Sequence, residues 1–60
     1  MPYQEWVLYD REDRAYYVGD GEWLAPKDKA KRYGTFLSAH KAIEDLGHEW
    51  VDRVIAVSVQ

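Results

Sequence analysis

A chain of 60 residues, 47% hydrophobic and 15% aromatic with a net charge of −3, is bounded to one domain over 1–60, close to the smallest size at which a hydrophobic core holds unaided. The absence of cysteine excludes disulfides and thiolate metal sites as the staple, and 11 acidic against 8 basic residues argue against a surface built to read phosphates. No apolar run approaches the roughly 18 residues of a membrane span, and Met1-Pro2-Tyr3-Gln4-Glu5 lacks the basic region and apolar run of an export signal, so the expected location is cytoplasmic.

In chain order, Glu5–Asp10 has the aromatic and β-branched composition of a strand, Arg11–Arg14 that of a polar turn, and Ala15–Val18 that of a second strand, which together predict a β-hairpin. Gly19-Asp20-Gly21 predicts a turn with positive φ. Glu22–Ala25 reads as a short strand stopped by Pro26, an edge by nature because proline donates no ladder hydrogen bond. Lys27–Lys29 is loop-like, and Ala30–Tyr33 fits either a short edge strand or one helical turn.

The strongest local signal follows. Thr35 supplies an N-cap hydroxyl and Gly47 a left-handed C-terminus, while Phe36, Ala39, Ile43 and Leu46, with Ala42 beside them, form one apolar stripe of helical period. The third helical position carries Ser38 where a capping box would have an acidic residue. His48-Glu49-Trp50 reads as a connection, and Val51–Val59 as the last strand. The fold class expected is therefore a small α+β domain of ββ(β)αβ order, a mostly antiparallel sheet with one helix on one face, its residues packed under Phe36, Ile43 and Leu46.

The other face carries the functional argument. Trp6 and Leu8 point one way from the first strand and Val7 and Tyr9 the other, and Tyr17 opposes Tyr16 and Val18, so both faces are apolar or aromatic. One helix covers one of them. The surplus predicts an exposed aromatic patch or a homodimer interface, with Trp6, Tyr9, Tyr16 and Trp23 as contacts. Leu37 joins them because it sits roughly 160° from Ala39 on the helical wheel, away from the stripe.

Chemistry is sparse. Ser38 and Ser58 belong to no nucleophile motif, and no enzyme is expected. His40 and His48 lack the i, i+4 spacing that aims two imidazoles at one metal, and Asp10, Glu12 and Asp13 lack the glycine and terminal glutamate of a calcium loop. Neither a metal nor a cofactor is expected; the acidic cluster reads as a solvated turn. The alternative binding function is nucleic-acid contact through Lys27, Lys29, Lys31 and Arg32 with Tyr33 as a stacking surface.

The hairpin ending in Tyr16-Tyr17-Val18, the Gly-containing turn with Trp23, Ala30-Lys31-Arg32-Tyr33, Thr35 and Ala39-x-x-Ala42-Ile43 together resemble small phage- and prophage-encoded proteins of the layout strand, Gly, Trp, Ala-Lys-Arg-aromatic, Thr, helix, strand. The resemblance spans roughly Trp6 to Val59. It implies a phage accessory protein in the cytoplasm of a bacterial host, acting by binding a host protein, including defence components such as CRISPR effectors.

Overall fold

The computed structural model describes residues 4–59. Gln60 and Met1–Tyr3, where part of the export-signal reading falls, lie outside the described residues. Strands β1 (Trp6–Asp10), β2 (Ala15–Gly19), β3 (Glu22–Leu24) and β4 (Val54–Ser58) form one antiparallel sheet in the order β3-β2-β1-β4. Helix α1 (Phe36–Leu46) lies in the connection between the two edge strands, β3 and β4, and packs on β1 and β4. The α+β class, the antiparallel sheet and the single main helix are as the sequence predicts.

The β1–β2 loop is organised by Asp10. Its Oδ1 accepts the backbone N–H of Glu12 at 3.0 Å and of Asp13 at 3.5 Å, an Asx-type turn, while Arg14 closes the loop at φ 56° with its N–H on the Asp10 carbonyl. The β2–β3 turn runs through Gly19, Asp20 and Gly21 at φ 107°, 55° and 77°, the positive-φ turn that two glycines predict.

Ala30–Tyr33 is neither of the two forms expected. It follows a single 3₁₀ turn at Lys27–Lys29 and enters the plane of the sheet as a wedge. Past the Tyr9–Tyr16 pair, β1 and β2 part company. Lys31 donates its N–H to the Tyr17 carbonyl at 2.9 Å, and Tyr33 and Trp6 exchange both backbone hydrogen bonds at 2.8 Å as an isolated antiparallel bridge. The wedge satisfies backbone groups that the diverging strands leave open.

Thr35 caps α1 as expected, accepting the Ser38 N–H at 3.1 Å. Ser38 completes the cap without an acid, since its hydroxyl donates to the Thr35 carbonyl at 2.9 Å. Leu8, Ala39, Ile43 and Val54 form the centre of the core between sheet and helix. Phe36 departs from the expected stripe. It is 52% exposed, set edge-on against Trp6 with ring centroids 5.2 Å apart, because it borders an open cleft instead of the packed core.

Two boundaries also differ at the C-terminal end. His48–Val51 is a short helix, α2, instead of a connection, and the last strand starts at Val54, after it. Gly47 makes the junction at φ 121° and ψ 162°, a conformation open to glycine alone, different from the left-handed helical one expected of a C-cap. Among the described residues no helix is long and apolar enough to cross a membrane.

Candidate functional site

The two sides of the sheet are built for different purposes. On the helix side, strand alternation brings Trp6, Leu8, Tyr17, Trp23, Val54 and Ala56 into or against the core. Tyr17 and Trp23 meet at 5.1 Å, Trp23 and Trp50 stack at 5.2 Å with planes 8° apart, and the Arg53 guanidinium lies 4.7 Å above Trp50. This column extends a small core sideways. Trp6 and Trp23, two of the aromatic contacts the sequence proposes, are thereby half-buried against their own chain.

Asp10 terminates the column. It is 1% exposed, and Arg53 grips it with both Nε (3.1 Å to Oδ1) and Nη2 (2.8 Å to Oδ2). Burial alone would raise the Asp10 pKa, but the Arg53 bonds and the Glu12 and Asp13 amides outweigh it and hold the carboxyl below its ordinary value. Arg53 also reaches Asp13 at 3.2 Å and Glu12 at 3.6 Å. The acidic cluster read as a solvated turn is thus a clamp around one arginine: Glu12 and Asp13 face solvent and Asp10 does not. The arrangement holds β1, its turn and the start of β4 together.

The opposite side lies open. Tyr9 and Tyr16 face each other there with rings 4.8 Å apart, and alternation places Val7, Val18, Leu24, Ile55 and Val57 on the same side. None of the described helices packs on this face. Val7, in the interior of this side, is only 1% exposed, whereas Leu24 and Ile55 toward the two sheet edges are exposed. Charge is confined to its margins, as Glu22 near the β3 corner and as the Glu5–Arg32 pair at 3.0 Å. An antiparallel sheet with one solvated face ordinarily alternates apolar and polar residues, and this one does not.

The remaining predicted residues are dispersed. Leu37 stands 74% exposed on the flank of α1, remote in role from the Tyr9–Tyr16 face. Of the basic segment, Arg32 is bound to Glu5 and the Lys31 ammonium sits 5.6 Å from the centre of the Tyr33 ring, which leaves Lys27 and Lys29 on the 3₁₀ turn. Burial raises the Tyr33 pKa, with the Tyr17 hydroxyl adding to it, and the half-buried Tyr33 packs against the core. His40 lies 3.7 Å from Glu44 and over Phe36, and among the described residues no cluster of three potential metal ligands occurs.

A cleft of about 310 Å³ opens between α1 and β4, walled by Phe36, His40 and Ile43 on the helix and by Val51, Val54, Ile55 and Ala56 on the other side. The sequence gives no direct signal for it, because Phe36 belongs to the apolar stripe and Val51 lies in the segment read as strand. No known family matches this chain, and no curated protein or solved structure does.

Proposed function

We propose that this domain is a non-enzymatic binding module that docks a partner protein on its open sheet face, with Tyr9 and Tyr16 at the centre and Leu24, Ile55 and Val57 around them. The observation that carries the reading is the apolar, uncharged interior of a sheet face over which no described helix lies. Leu24 and Ile55 stand exposed there and Tyr9 and Tyr16 half-exposed, apolar surface that gains nothing in water unless something else covers it. Tyrosine supplies large, rigid contact area with a hydroxyl for the rim, the composition that anchors protein interfaces. A phage accessory protein directed at a host factor is the biological setting in which we place it.

The test is retention from bacterial lysate on the immobilised chain, comparing the wild type with Tyr9→Ser/Tyr16→Ser after circular dichroism shows both folded. A host protein held stoichiometrically by the first and lost by the second is expected. Equal retention by both chains would assign the interaction to another surface.

A further inference from the structure

We propose that β4 is a self-pairing edge: two copies of the chain join β4 to β4, antiparallel about a two-fold axis at Ala56, and extend the four strands of each into one sheet of eight. This surface borders the open face at Ile55 but does not use the Tyr9–Tyr16 pair.

The hydrogen-bond phase of β4 sets the geometry. Arg11 donates its N–H to the Arg53 carbonyl and Val59 donates to the Glu5 carbonyl, within an unbroken register that pairs Trp6 with Ser58 through Asp10 with Val54. Residues 53, 55, 57 and 59 therefore turn their backbone groups toward β1, and Val54 and Ala56 turn theirs outward. Among the described residues no hydrogen bond reaches those outward groups. About a two-fold axis, the N–H and C=O of Ala56 exchange with those of the same residue in the second copy.

The two edges of the sheet are treated differently. β3 is three residues long, carries Glu22 and is followed closely by Pro26, the ordinary devices that discourage strand addition. β4 is five residues, Val-Ile-Ala-Val-Ser, with no charge, proline or bulge. The cleft lies beside it. A second strand set against β4 runs along its mouth, which Phe36, His40 and Ala56 line.

Exposed apolar side chains gather beside this edge. Phe36, Val51 and Ile55, three of the five large hydrophobics that stand exposed among the described residues, line the cleft along β4. A standard interface buries about 800 Å² per partner, a little under one fifth of the 4346 Å² surface of this chain.

A chain of 60 residues is accessible to chemical synthesis, which allows the outward N–H of Ala56 to be methylated with every side chain kept. Sedimentation equilibrium of the unmodified chain is expected to give twice the 7.1 kDa of one copy. The N-methyl-Ala56 chain is expected to associate about tenfold or more weakly, with unchanged circular dichroism, because the β1–β4 ladder does not use that N–H. A dimer that survives N-methylation but is lost in Tyr9→Ser/Tyr16→Ser overturns the proposal in favour of the open face. An unmodified chain that stays monomeric overturns it too, and leaves the cleft to an extended strand of a different protein.

Discussion

Trp23, near the outer edge of the sheet, and Trp50, on α2, stack with centroids 5.2 Å apart and planes 8° apart, joining the two ends of the fold through one aromatic contact. Tyr17 packs on one side of this pair and Arg53, held by buried Asp10, covers the other. A core centred on four buried side chains is widened by this column without more chain being required. Four predictions follow from that packing, from the ion clamp, from the helix cap and from the basic segment.

Replacing Trp50 by alanine removes the middle of the column and exposes Trp23. The indole is half-buried, so the loss is expected at about 2–3 kcal/mol, below that of a fully buried tryptophan. Urea titration followed by circular dichroism measures it. A loss under about 0.5 kcal/mol would show that the stack contributes little beyond surface.

The Asp10 clamp fixes the sign of the acid response. The folded-state pKa of Asp10 lies below its unfolded value, so its contribution is fully present above the unfolded pKa of about 3.9 and is lost as pH falls through the folded one. Thermal unfolding temperature is expected to drop steeply below about pH 4 in the wild type. Asp10→Asn keeps the shape and one acceptor oxygen but loses the charge. It is expected to unfold more readily at pH 7, by about 1–3 kcal/mol, and to show a flatter acid limb. An unaltered acid limb would mean that other carboxylates carry the transition.

At the start of α1, Thr35→Ala removes the acceptor of the Ser38 N–H and is expected to cost about 1 kcal/mol, or about 4–8 °C in melting temperature. Thr35→Ser is expected to restore nearly all of it. Failure of the serine variant to recover stability would place the effect in the threonine methyl group instead of the hydroxyl.

Nucleic-acid binding through the basic segment makes a contrary prediction. With Arg32 paired to Glu5 and Tyr33 packed inward, the chain is expected to show no salt-sensitive retention of a single-stranded oligonucleotide at about 50 mM salt. Retention that weakens with added salt and is abolished in Lys27→Glu/Lys29→Glu would restore that function.

The parts of the fold legible in the sequence are those whose causes are local. Thr35, the apolar period through Ala39 and Ile43, and the glycines around Asp20 act within a few residues, and each appears where expected. The Asp10–Arg53 clamp joins residues 43 apart, and the sequence around either one gives no sign of the other. Trp50 reads as a connection because α2 is one turn long and has no period to detect. Phe36 satisfies the helical period, yet the crossing of α1 over the sheet decides which of its periodic positions reach the core. For the open face, strand alternation was enough to bring out Tyr9 and Tyr16, whereas the cleft depends on how α1 and α2 sit beside β4, which no local rule contains.

The wedge at Ala30–Tyr33 makes the hairpin depend on a later part of the chain. Tyr9 and Tyr16 can pair as soon as their own turn closes, but the backbone of Trp6 finds its partner only when Tyr33, 27 residues downstream, arrives. Completion of the sheet at the Trp6 end therefore waits on a contact of long sequence separation. In native-state hydrogen exchange the amides of Trp6, Lys31 and Tyr33 are expected to open as one unit, while those near Tyr9 and Tyr16 exchange separately.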